Sequence, residues 1–161
     1  MTSKKTGKPT ASKETVCIIL AGGRGKRMGA GDRHKVCFPI LGRAAIVRAI
    51  DQYKRAGLRR FVVVVGQMAH EVMREVSLEH PEVTFAYQTE PKGTGHAVLA
   101  GAQALAYAGY TGSCIVTMGD KLVDTAVIRE LMACNVDETS PLAMVTLPLA
   151  KKSGAGRVLL D

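Results

Sequence analysis

The stretch best equipped for chemistry is "IILAGGRGKRMGAGDRHK", Ile18 to Lys35. An apolar run stops at Gly22, Gly23 and Gly25, and Arg24, Lys26, Arg27 and Lys35 supply positive charge around and after them. Neighbouring glycines let backbone N–H groups approach an oxyanion without interference from a Cβ. Arg grips phosphate with a two-pronged fork, while Lys acts as a point charge. Such a stretch is either a phosphate-holding loop or a solvated basic loop. Its register matches neither of the two familiar phosphate loops. The dinucleotide fingerprint needs Gly where Met28 stands, and the ATPase loop needs Gly at Leu20 and Ser or Thr at Arg27.

These residues need a scaffold, and the chain alternates strand and helix patterns. "VCIILAG" is a continuous apolar run, as in a strand buried on both faces. "RAAIVRAIDQYKRAG" puts Ile46, Val47, Ile50 and Tyr53 at helical spacing, with Gly57 as the stop. "FVVVVG" predicts a second strand, and "AHEVMREVSLEH" a helix with Val72, Met73 and Val76 on its apolar side. "VTFAYQ" predicts a third strand, and "GTGHAVLAGAQALAYAG" a helix after its glycines. "SCIVTMGD" predicts a fourth strand ending near Asp120, and "TAVIRELMACN" a helix capped by Thr125. "LAMVTLP" predicts a fifth strand.

The alternation implies a Rossmann-like α/β fold, a three-layer α/β/α sandwich around a mostly parallel sheet. Ligands in such sheets bind outside the carboxyl ends of the strands. Three stations fall there: the glycine loop, "QTEPKGTGH" after the third strand, and "MGDK" after the fourth.

Composition narrows the functional classes. The chain has 161 residues, 47% hydrophobic and 22% charged, which fits one globular domain. No apolar run is long enough to span a membrane, and residues 1–15 read as a disordered basic tail rather than an export signal. The net charge is +8; Lys4, Lys5, Lys8 and Lys13 against Glu14 account for +3, which leaves +5 for the rest. That excess suits a phosphate-bearing small substrate or a nucleic acid. Aromatics at 4%, with no Trp, argue against base stacking and therefore against nucleic acid. Cys17, Cys37, Cys114 and Cys134 show neither a CxxC pair nor zinc spacing. Cys17 and Cys114 read as buried reduced thiols and Cys37 as an ordinary one, in keeping with a cytoplasmic protein.

The series Leu20, Gly22, Gly23, Gly25, Arg27, Met28 and then Lys35 resembles the signature of nucleotidyltransferases that make nucleoside-diphosphate sugars. "YQTEPKGTGHAV" resembles the base- and sugar-contacting segment of N-acetylglucosamine-1-phosphate uridylyltransferases. "MGD" resembles the strand-end metal aspartate of that family, and "SGAGRVLLD" a later glycine-rich stretch. "GTGHA" separates this pattern from the cytidylyltransferases of isoprenoid synthesis and the guanylyltransferases of molybdenum-cofactor synthesis. The resemblance covers Val16 to Asp161 and implies a nucleotidyltransferase domain over 16–161, comprising roughly the first two-thirds of the family domain. A chain lacking the remainder is expected to self-associate through the apolar face left bare. The family usually has Pro before the lysine, where this chain has His34, which reads as incidental. "GDKLV" stands where the family has G-D-x-P-L, so Lys121 adjoins Asp120.

The resemblance implies transfer of UMP from UTP to a sugar 1-phosphate, with N-acetylglucosamine 1-phosphate the first choice. Another nucleotide or acceptor, or a nucleotide-binding homologue impaired in catalysis, is the alternative. Backbone N–H groups from Leu20 and Ala21 through Gly22, Gly23 and Gly25 would cradle the triphosphate. Arg27 would hold the departing pyrophosphate, Lys35 the α-phosphate and the incoming phosphate, and Asp120 a Mg²⁺ ion. Gln88 would read a pyrimidine base, Gly93 and Thr94 would lie against the nucleoside, and Gly156 against the sugar. His96 reads as a structural hydrogen-bonder.

Overall fold

The computed structural model describes residues 15–23, 33–134 and 141–146. Four parallel strands form the central sheet, in the order β5, β4, β1, β6. They are β1 (Val16–Ala21), β4 (Arg60–Val65), β5 (Thr84–Tyr87) and β6 (Cys114–Met118). Helices α1 (Ala45–Ala56), α2 (Ala69–Glu79), α3 (Thr94–Tyr107) and α4 (Thr125–Ala133) alternate with them. The predicted fold class is the one found.

Alternation along β1 explains the layers. All six of its residues are buried. Cys17, Ile19 and Ala21 join a core with Ile46, Ile50 and Tyr53 of α1, Val72 and Val76 of α2, and Ile128 of α4. Val16, Ile18 and Leu20 face the other way, against Ala97 and Leu105 of α3. A strand sandwiched in this fashion must be apolar on both faces, which is why its sequence reads as an unbroken run. Helix α1 stops at Gly57, whose φ of 117° favours a residue without a Cβ.

Several local expectations are corrected. Of the predicted fifth strand, 142–148, residues 142–146 are described and have no regular structure, with Leu142, Met144 and Val145 exposed. No strand among the described residues pairs with them, so among those residues their backbone has no ladder to join. The cap of α4 is Asp124, whose carboxylate accepts from the Ala126 N–H, one residue earlier than predicted. Met73 points outward from α2: the buried stripe runs through Val72 and Val76 and turns towards Glu71. Cys17 is buried, but Cys114 is exposed, because α3 packs on β1, β4 and β5 and leaves edge strand β6 bare on that side. The sequence reading also missed a small antiparallel pair, β2 (Pro39–Ile40) with β3 (Arg43–Ala44), turning through Leu41 and Gly42 at positive φ.

Gly101 is where α3 comes nearest the sheet. A Cβ there would lie 2.7 Å from Ile18 Cγ2 and 3.1 Å from Val64 Cγ2. Both neighbours are β-branched strand residues with little rotamer freedom. Gly101→Ala should therefore lower stability by about 1–2 kcal/mol in urea unfolding, outweighing its roughly 1 kcal/mol gain in helix propensity. A more stable variant would show that α3 can withdraw from the sheet.

Candidate functional site

The carboxyl ends of β1, β5 and β6 deliver the three stations to one edge of the sheet. After β1 come Gly22 and Gly23, and the tight fit there explains the first glycine. A Cβ on Gly22 would lie 2.6 Å from Gln88 Oε1. Gly66, at the end of β4, is equally constrained, since its Cβ would stand 2.9 Å from the Gly22 carbonyl oxygen. The Gly119 N–H donates to the Leu20 carbonyl at 2.9 Å, and the Gln88 N–H to the Val65 carbonyl at 2.8 Å. These bonds carry the sheet ladder one step past the strands and fix where Gln88 and Asp120 emerge.

Lys35 opens a short 3-10 turn, Lys35–Cys37. His34 caps it, accepting the Val36 N–H on Nδ1 at 3.3 Å. The His34 backbone N–H donates to Glu71 Oε2 of α2 at 2.7 Å, within the protein interior. His34 is fully buried, so the incidental role read from sequence is corrected to that of a structural anchor. Burial pushes its imidazole below the ordinary value; Glu71 opposes that shift and Lys35 adds to it. Cys37 in the same turn is pushed up to about 12 by burial, so its thiol stays protonated, in line with its reading as unreactive.

From this turn Lys35 reaches the end of β6. Its Nζ lies 3.0 Å from Asp120 Oδ2, joining two predicted site residues 85 positions apart. The other carboxylate oxygen, Asp120 Oδ1, is buried and has no hydrogen-bond partner among the described residues. Lys121, next in sequence, is exposed and closes the turn through its N–H to the Met118 carbonyl.

Gln88 is buried at the mouth of the same cleft. Its Nε2 lies 3.3 Å from the Gly93 carbonyl and 3.1 Å from His96 Nδ1, which bears out the structural role read for His96. Leu20, Gly22, Gly23 and Lys35 line the cleft together with Gln88, Gly93 and Thr94. Pro91, Ala97 and Met118 complete the lining. Pro91 and Met118 lie within the quoted stations but were not singled out. Ala21 does not line the cleft: its side chain is buried in the core on the other face of β1. Gly25, Arg27 and Gly156 lie outside the described residues. No group of three or more His, Cys, Asp or Glu side chains is arranged to hold a metal among the described residues. No helix among them is long and apolar enough to cross a membrane.

A parallel sheet with a glycine turn, a Lys–Asp pair and a buried amide at one edge defines an α/β protein of the nucleotidyltransferase type. Residues 17–150 match the family described as "MobA-like NTP transferase domain", and the chain belongs to that family. It is 35% identical over 153 residues to the bifunctional protein GlmU of Mycolicibacterium vanbaalenii, covering 91% of this chain and 30% of the relative. The chain thus spans about 30% of the length of the curated relatives it matches. A nucleotidyl transferase from Methanothermobacter thermautotroptrophicus shares the fold, with a TM-score of 0.61, 24% identity, and coverage of 74% of this chain and 57% of that one. HddC from Yersinia pseudotuberculosis complexed with GMP-PN aligns at a TM-score of 0.56 and 27% identity, over 66% of this chain and 48% of that one.

Glu71 supports the site from behind and carries no sequence signal, since a lone Glu on an amphipathic helix reads as solvent-facing. Its carboxylate is nearly buried, and among the described residues it is shared between the His34 N–H and exposed Arg33, whose Nε lies 3.6 Å away. Glu71→Ala would strand that buried N–H. Thermal or denaturant unfolding should show a loss of about 1.5–3 kcal/mol, the range for a hydrogen bond to a charged group. An unchanged midpoint would mean that the turn is held by its packing alone.

Proposed function

We propose that this chain catalyses nucleotidyl transfer, moving UMP from UTP to the phosphate of a sugar 1-phosphate, with N-acetylglucosamine 1-phosphate as the acceptor. The observation that carries this reading is Lys35, which lines a cleft bounded by the glycine turn and Gln88 and is ion-paired with Asp120 at the end of β6. The similarity to GlmU over most of the chain supports the choice of base and sugar. In the reaction a phosphate oxygen of the sugar phosphate attacks the α-phosphorus of UTP. A new P–O bond forms, the bond between the α-phosphorus and its β-bridging oxygen breaks, and pyrophosphate leaves with that electron pair.

Two anions must meet, so charge neutralisation and alignment dominate and no covalent nucleophile is needed. Backbone N–H groups of the glycine turn bind the triphosphate, with Arg27 holding the pyrophosphate end. Lys35 leaves Asp120 for the α-phosphate and the incoming phosphate, where charge builds up. Gln88 reads the base, while Gly93 and Thr94 border the nucleoside.

Asp120 fits a Mg²⁺ ion: its Oδ1 is buried without a hydrogen-bond partner among the described residues, and Mg²⁺ is commonly held by one or two carboxylates plus phosphate oxygens. Bound there, the ion would neutralise phosphate charge. Soluble phosphorylated substrates and free cysteines support a cytoplasmic location under this reading. The similarity to HddC, solved with GMP-PN, favours GTP as the second nucleotide to assay.

Pyrophosphate release from UTP and N-acetylglucosamine 1-phosphate, dependent on Mg²⁺, tests the reading directly, and no turnover with UTP would sink it. Asp120→Ala should abolish that activity while circular dichroism stays native. Lys35→Ala should lower turnover by about 10²–10³-fold. Its nucleotide affinity should change far less, because the glycine turn and Gln88 remain. Equal losses in both would place Lys35 in ground-state binding instead.

A further inference from the structure

We propose that His96 sets which base the cleft accepts, by locking the Gln88 amide so that only its carbonyl oxygen is offered to the ligand. The inference rests on the assignment of Gln88 to the base. Gly93 begins α3 with φ 98° and ψ −175°, and its carbonyl accepts the Ala97 N–H at 3.2 Å. That carbonyl is therefore pinned by the first turn of the helix. It can only accept, so the Gln88 group 3.3 Å away must be the amide nitrogen. The same nitrogen lies 3.1 Å from His96 Nδ1, which must then be the acceptor, leaving the imidazole proton on Nε2. Both amide hydrogens are spent on the first turn of α3. The remaining group, Oε1, faces Gly22 so closely that a Cβ there would stand 2.6 Å away.

A glutamine free to rotate would offer either a donor or an acceptor. A locked one offers an acceptor only. That surface complements a ring N–H flanked by carbonyl oxygen, as in the imide of uracil or the lactam of guanine. Cytosine and adenine present a lone pair at the corresponding ring nitrogen and would oppose Oε1 there; their amino groups could meet it only with the base shifted in the cleft. The site is thus biased towards oxo bases before any ligand arrives, and the bias resides in His96, which touches the amide rather than the base.

Calorimetric titration of the chain with UTP and with CTP, without acceptor, tests this in the wild type, His96→Leu and His96→Asn. The wild type should prefer UTP. His96→Leu should lose roughly tenfold of that preference, about one hydrogen bond's worth, mainly by binding CTP more tightly. Loss of a merely structural residue does not raise affinity for the wrong base. His96→Asn, whose side-chain oxygen can replace Nδ1 as acceptor, should keep the wild-type preference. His96→Ala serves the same purpose should the leucine variant fail to fold. Equal wild-type affinity for the two nucleotides, or an unchanged preference after deletion of the imidazole, overturns the proposal. Pyrophosphate release measured on the same samples separates the two ideas. Preference without turnover keeps the lock and sinks the transferase reading, turnover without preference sinks the lock alone, and failure to bind either nucleotide overturns both.

Discussion

The site depends on β1 having nothing left to offer solvent. It is paired on both edges, with β4 and with β6, and covered on both faces. Every polar function must then appear where the strands stop, and the parallel register decides which stops coincide. Ala21 is level with Val65 and Val65 with Tyr87, while Leu20 is level with Met118. The residues that follow Ala21, Val65, Tyr87 and Met118 are Gly22, Gly66, Gln88 and Gly119. One register therefore brings together three glycines and one amide, and the measured approaches among them show how closely. Substituting any of the three glycines demands that a neighbour move.

Much of this was legible because it is periodic or local. An unbroken apolar run announces β1, the i, i+3, i+4 spacing announces α1, and a glycine after Arg55 and Ala56 announces its end. The convergence of the three stations followed from strand–helix alternation alone. The misses share a different cause, in that each is a tertiary decision about groups whose local pattern is neutral. Glu71 and Met73 are both plausible surface residues of α2, and the His34 N–H is what turns the helix face towards the former. Cys114 occupies an apolar run like that of Cys17, yet it lies on β6, away from the strands β1, β4 and β5 on which α3 mainly packs. "LAMVTLP" has strand-like composition, but a strand also needs a partner, and composition does not supply one.

His34 shows how a departure from a familiar motif can carry information. Where the signature that the loop resembles would place a proline before the lysine, this chain has a residue with a full backbone N–H and a ring acceptor. Both are used: the N–H is given to Glu71 and the ring accepts from Val36. Proline has no N–H to donate, so the anchor to α2 exists here because the residue is not proline. Burial keeps the imidazole neutral, which preserves Nδ1 as an acceptor next to a lysine.

The two bonds on either side of this turn differ in strength, and the difference has a functional sense. The Glu71 bond is interior and charge-assisted, a class worth about 1.5–3 kcal/mol. The Lys35–Asp120 contact is partly open to water, with side-chain exposures of 19% and 31%. Pairs of that kind contribute roughly 1 kcal/mol or less, because solvent screens the attraction and ordering a long side chain costs entropy. The lysine backbone is thus held firmly while its ammonium is held lightly. A phosphate entering the cleft could draw the ammonium away at little cost, and Asp120, with one oxygen already orphaned, would then have both oxygens free for another cation. Under the proposed reaction, the ion pair is the resting arrangement of two charges that separate when the substrate brings its own.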